Sequence, residues 1–159
     1  MIATRKHLDY ALGYIELGLL DEAREELARI PADEHQTSPV LAVQLELSMA
    51  DENWDGVVTL APQVVLGDET AERPWIAWAY ALREHQRITE ARDVLLRGAL
   101  VISQPSGLVD YNLACYYCLL GDLDEARRRL KRACSRKPHW KKDSLTDPDL
   151  AALHAPRKN

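Results

Sequence analysis

The 159-residue sequence has no phenylalanine, only seven glycines and eight prolines, and no apolar run near the ~20 residues that cross a bilayer. So few breakers leave room for long regular elements, and an excess of Leu and Ala favours helices over strands. Cysteine is scarce as well: three residues, Cys115, Cys118 and Cys134. The opening stretch "MIATRKHLDYAL" carries Arg5 and Lys6, but His7 and Asp9, with Glu16 beyond, interrupt any signal-peptide core. Without an export signal the thiols are expected to be reduced and the protein cytoplasmic. Catalytic signatures are missing too: no phosphate-binding GxxxxGK[ST], no GxGxxG, no HExxH, no Gly-flanked serine elbow and no EF-hand loop. The carboxylates gather at helix starts such as Asp21-Glu22 and Asp124-Glu125, where they serve capping and dipole roles rather than acid–base work. His85 and His139 read as surface residues near helix ends. An enzyme is not expected, nor a cofactor or a metal.

What is present is a folded composition, 47% apolar and 28% charged, enough for one domain over residues 1–159. Charge is unevenly spread. Residues 1–72 carry 15 Asp/Glu against 4 Lys/Arg, a net of −11, and residues 73–159 carry 10 against 16, a net of +6. Opposite ends of this kind permit head-to-tail homo-oligomers.

Four phrases recur: "LGLLDEAREELARI", "ADENWDGVVTLAPQV", "HQRITEARDVLLRGAL" and "LGDLDEARRRLKRAC". Their small or apolar anchors Ala23, Val57, Ala91 and Ala126 lie 34, 34 and 35 residues apart. Such a period belongs to stacked helical hairpins. The 3.6-residue pattern predicts first helices near 5–17, 38–50, 72–85 and 107–119, and partners near 21–30, 54–66, 89–101 and 123–135. Gly18 and Gly121 suit left-handed turns, Asp21 and Asp122 suit N-caps, and Pro31, Pro105 and Pro138 close second helices.

On these residues the chain resembles the tetratricopeptide repeat family. The fourth unit carries Leu113-Ala114, Tyr117, Gly121, Ala126, Leu130, Ala133 and Pro138; the third Trp75, Trp78-Ala79, Leu82, Ala91 and Leu95; the first Tyr10-Ala11, Tyr14, Gly18, Ala23 and Leu27. The second departs from the pattern. Leu45, Ser48 and Glu52 replace a small residue, a large one and the turn glycine, and Pro62 falls inside the second helix, where proline costs ~3 kcal/mol. Repeat two is therefore expected to be irregular. The resemblance implies an all-α, right-handed superhelical solenoid of about four repeats, near 4–37, 38–71, 72–106 and 107–140. A C-terminal cap follows near 141–155, with Asp147-Pro148 as its helix start, Leu150, Leu153 and Leu145 on its apolar face, and Trp140 packing beneath.

The family's first helices line a concave groove. Carried over position by position, that groove comprises Arg5, Leu8, Leu12, Ile15 and Glu16; Pro39, Ala42, Glu46 and Met49; Arg73, Ile76, Tyr80 and Arg83; and Leu108, Tyr111, Cys115, Cys118 and Leu119. Leu12 and Leu119 are expected to be its core members. A largely apolar, partly aromatic groove suits an amphipathic or extended apolar segment. Clamping of a terminal carboxylate, known in chaperone-tail adaptors of the family, does not fit: Leu8, Leu12, Val43 and Ala77 stand at the matching sites and only Arg73 could pair.

Cys115 and Cys118 sit three apart in mid-helix, away from a helix N-terminus, with no second pair to complete a zinc site. They read as small apolar members of the helix face. The basic stretch from Arg127 to Lys142 reads as a solvated outer helix face, so nucleic acid is not expected as a partner. The function expected is a non-catalytic interaction module that takes a segment of a partner protein in its groove. The alternatives are a small chaperone for secreted or membrane-active proteins and a homo-oligomeric assembler.

Overall fold

Eight long helices alternate with tight turns in the computed structural model, which describes residues 3–155. They are α1 (Thr4–Glu16), α2 (Leu20–Ala28), α3 (Ser38–Ala50), α4 (Trp54–Gly67), α5 (Glu72–Glu84), α6 (Ile88–Val101), α7 (Leu108–Leu119) and α8 (Leu123–Arg136). Short pieces follow: α9 (Trp140–Asp143), a 3-10 turn (Pro148–Leu150) and α10 (Ala151–His154); another 3-10 turn (Ala32–Glu34) lies between α2 and α3. No strand occurs among the described residues. Successive long helices pack as hairpins, α1 with α2, α3 with α4, α5 with α6 and α7 with α8. The hairpins gather into two units, residues 1–68 and 69–159.

Periodicity reappears in the backbone. Gly18, Glu52, Gln86 and Gly121 all adopt left-handed φ, at 73°, 53°, 61° and 87°, and they keep the same 34, 34 and 35 spacing. Each turns a first helix into its partner. Glu52 and Gln86 do so despite a Cβ penalty of roughly 1–2 kcal/mol, so the hairpin geometry and not the local residue sets the turn.

In the first unit, Leu8, Ala11, Ala23, Leu27, Ile30, Val40 and Val43 form a buried cluster with Tyr14, Ile15 and Leu47 against it. Ala11 and Ala23 are wholly buried, which lets α1 and α2 approach closely. Within this hairpin His7 and Glu26 are both buried and joined at 2.7 Å, and Arg29 also binds Glu26. The expected irregularity of repeat two is not what the chain does: α4 runs through Pro62 to Gly67. Val57, Ala61 and Val65, four apart, are buried along one face. That face anchors the helix, and packing outweighs the missing amide of one residue. Asn53 caps α4 by accepting from the Gly56 amide at 3.1 Å.

The second unit holds α5 to α8 and the short C-terminal pieces. Gly98 of α6 lies so close to Trp75 of α5 that an added Cβ would stand 2.7 Å from the ring. Trp75 is held in place by its indole N–H, which donates to the Glu69 carbonyl at 2.8 Å. Asp122 caps α8 as expected, accepting from the Glu125 amide at 3.1 Å. Asp21 does not cap α2. That helix starts one residue earlier, after Leu19, which puts Asp21 in the first turn beside Arg24.

Candidate functional site

Within the second unit, the first helices α5 and α7 present a face on which residues 147–153 are laid. Asp147 caps the 3-10 turn by accepting from the Asp149 amide at 2.9 Å, and Pro148 fixes the backbone at the turn's first position. This local geometry aims two carboxylates at α5 and α7. Tyr111 donates its hydroxyl to Asp147 Oδ2 at 2.8 Å, and the Cys115 thiol points at the same oxygen at 3.8 Å. Arg83 forks onto Asp149, with Nε donating to Oδ2 at 2.8 Å and the other arm to Oδ1. Its remaining arm meets Glu84 at 2.8 Å. Leu150 is fully buried, and the backbone of Ala152 and Leu153 in α10 lies against α7 beside Cys118.

The electrostatics follow from this seating. Hydrogen bonding to Asp149 raises the Arg83 pKa, so the guanidinium stays charged. Burial first, then the Asp147 carboxylate, pushes the Tyr111 hydroxyl and the Cys115 thiol far above their ordinary values. Burial also raises Cys118, although the Leu153 and Ala152 backbone opposes it. Both thiols are therefore protonated and unreactive at neutral pH. Behind the tail a cavity of about 300 Å³ remains, lined by residues that include Tyr80, Arg83, Asn112 and Tyr116. The Tyr116 hydroxyl is buried and has no hydrogen-bond partner among the described residues.

Of the groove residues expected from sequence, Arg83, Tyr111, Cys115 and Cys118 come together here under the chain's own tail. Tyr80 stays 39% exposed at the cavity, Ile76 and Leu108 are half-buried, and Arg73 is exposed. In the first unit, Arg5 and Leu8 line a separate hollow of about 500 Å³ with Thr4, Glu34, Thr37 and Pro39. Ile15, Ala42, Glu46 and Met49 are half-buried. Leu12 and Leu119 are not the core members expected; they are 37% and 44% exposed, while Leu8, Tyr111, Cys115 and Cys118 are buried. Leu145 is likewise exposed, so the apolar side of the tail rests on Leu150 and Leu153. Trp140 packs on Tyr111 with ring centroids 5.4 Å apart.

Asp147, Asp149, Asn112 and Tyr116 were not singled out from sequence as site residues. The Asp-Pro-Asp-Leu run announced a helix start, but nothing local reveals a partner 66 positions away in Arg83.

One group among the described residues has metal-ligand atoms close together: Cys115, Asp147 and Asp149, all within 4.8 Å. The donor set does not fit an ion. Asp149 is taken by Arg83, Asp147 by Tyr111, and burial keeps the Cys115 thiol protonated. The basic stretch is largely paired: Arg127 with Asp124, Arg128 with Glu125, and Arg129 with Glu125 and the buried Asp110. Arg136 donates to the Pro105 carbonyl, and Lys137 lies over the Trp140 ring. Those cations are engaged by the protein itself, which reduces what they offer a phosphate backbone.

The repeated hairpins define a TPR-type helical-repeat fold. Solved structures of MamA, a TPR-like helical-repeat protein, share it. MamA AMB-1 matches with a TM-score of 0.70 and 24% identity, covering 98% of this chain and 80% of that one. MamA MSR-1 matches with a TM-score of 0.71 and 23% identity, covering 90% and 79%. A MamA point mutant gives a TM-score of 0.71 at 24% identity over 86% of this chain and 78% of that one. At such identities the likeness speaks for the fold alone. No protein-family model and no curated protein sequence matches the chain. No helix among the described residues is long and apolar enough to cross a membrane.

Proposed function

We propose that the chain is a non-catalytic protein-interaction module whose first-helix faces hold a segment of a partner protein. The observation that carries this reading is the tail itself. On α5 and α7, side chains grip a polypeptide segment through a forked ion pair, a phenol–carboxylate bond and a buried leucine. A surface that seats one short segment with this combination has the chemistry to seat another. In the first unit the proposed contact residues are Arg5, Leu8, Leu12, Ile15, Ala42, Glu46 and Met49. In the second they are Arg73, Ile76, Tyr80, Arg83, Leu108, Tyr111, Cys115 and Cys118.

The test is site-specific photo-crosslinking in host lysate, with the reactive group placed at Tyr80 or Leu12 on the proposed faces, or at Arg128 on the outer side of α8. The reading expects one or a few proteins crosslinked from Tyr80 or Leu12 and absent from Arg128. Equal capture from all three positions would remove it.

A further inference from the structure

Three features of the seated tail specify a ligand. The tail places carboxylates two residues apart, Asp147 for the Tyr111 hydroxyl and Asp149 for the Arg83 fork. The next residue, Leu150, is fully buried. Beyond it, α10 packs against α7. These contacts read side-chain carboxylates inside a sequence and need no chain terminus.

The fit is also incomplete. Tyr116 is 2% exposed, lines the cavity beside the tail, and its hydroxyl finds no acceptor among the described residues. A buried phenol without a partner marks a position the tail leaves unfilled. The unit thus holds a tethered segment that satisfies most of the face and not all of it.

From this we infer that the second unit binds a short acidic segment of another protein, of the pattern Asp-x-Asp followed by an apolar residue, and that residues 147–153 occupy its site as a built-in competitor. The inference rests on the interaction reading above and names the partner's chemistry. The local charge matches: Arg83 is the cation facing the docked carboxylates, in a unit whose residues 69–159 carry 16 Lys/Arg against 12 Asp/Glu. Tethering gives the tail an effective concentration on the order of millimolar, so a partner of equal intrinsic affinity is held off until the tail is weakened. A partner that also offers Tyr116 an acceptor has an advantage the tail lacks.

The experiment uses the full chain and a capped, fluorescent peptide of the sequence SLTDPDLAALH, corresponding to residues 144–154. Fluorescence anisotropy compares wild type with the Asp147→Asn, Asp149→Asn variant, which keeps its tail but loses both carboxylates. The proposal expects the peptide to bind the variant at least tenfold more tightly than wild type. A further Arg83→Gln change should abolish the gain, and a peptide with Asn at both Asp positions should bind neither. Peptide affinity equal in variant and wild type, or equal for acidic and amide peptides, would overturn it. If the double variant loses helix content by circular dichroism, Leu150→Ser replaces it with the same expectation.

Light scattering on the same samples identifies the other candidate occupant. A wild-type dimer that the peptide dissociates would make a second copy the ligand and overturn a separate partner. Crosslinks that persist from Tyr80 while the peptide fails would sink this inference and leave the interaction reading standing. Loss of both would remove the two together.

Discussion

On the first unit, the hollow between the starts of α1 and α3 is lined by Thr4, Arg5, Leu8, Glu34, Thr37 and Pro39, with a single cation and a single carboxylate among them. On the second, the corresponding helices α5 and α7 offer Arg83 and Tyr111, and both are committed to carboxylates from the chain's own C-terminal segment. The scaffold is the same in both units: hairpins with fully buried alanines at the close approaches and left-handed turns at 34 or 35-residue spacing. The same frame thus carries two different recognition chemistries, because the repeat pattern fixes the buried positions and leaves the first-helix face free to vary.

The comparison is broken most strongly at the buried polar group of the first unit. Glu26→Ala strands the buried His7, while Arg29 keeps Glu25, and should cost about 2 kcal/mol, seen as a lower midpoint in urea unfolding. In the second unit, Gly98→Ala drives a Cβ into the Trp75 ring. Overpacking should outweigh the gain in helix propensity, leaving a net loss of about 1–2 kcal/mol and a lower Tm.

A smaller effect sharpens the comparison at the site itself. Asp147→Asn with Asp149→Asn should cost about 1–2 kcal/mol in total stability, because Asn keeps part of the hydrogen bonding to the partly buried Arg83 and Tyr111. It should nevertheless raise iodoacetamide labelling of Cys115 and Cys118 about tenfold near pH 8, because loosening the tail restores solvent to thiols that burial now holds protonated. Cys134, outside the site, serves as the internal reference. Mass spectrometry of the labelled peptides decides between opening at the site and general unfolding.

The smallest effect concerns pH. The Arg129 guanidinium first, then Arg128, holds the Glu125 carboxyl below its ordinary value, against an opposing cost of burial. A carboxyl depressed in the folded state stabilises the fold above its unfolded pKa of about 4.3, and that contribution is lost as pH falls towards the folded value. Glu125→Gln should therefore lower stability slightly at neutral pH, flatten the acid limb of the stability profile below about pH 4.3, and converge with the wild type once Glu125 is protonated.

Most of the fold was legible because it repeats. The anchors Ala23, Val57, Ala91 and Ala126, all wholly buried, gave the period, and the long helices lie within about two residues of their expected bounds. Pro62 misled because a propensity cost was set against nothing, whereas Val57, Ala61 and Val65 supply burial along the same helix. The site was half legible. Family positions led to Arg83, Tyr111, Cys115 and Cys118, since these belong to helix faces with a regular period. The residues that fill the site could not be found this way: Asp147 and Asp149 lie outside the repeats, on a segment whose landing place depends on tertiary folding. The Cys-x-x-Cys pair illustrates the same limit. It was correctly read as a helix face, and only the folded chain reveals that its two sulfurs are where the tail comes down.

Amide hydrogen exchange of the free protein tests the central claim most directly. Asp149 and Leu150 donate to Asp147. The account predicts that these two amides are protected in the wild type and lose protection together in the Asp147→Asn, Asp149→Asn variant, while α1 to α4 keep theirs. Exchange of the two amides at the rate of an unstructured peptide in the wild type would contradict it.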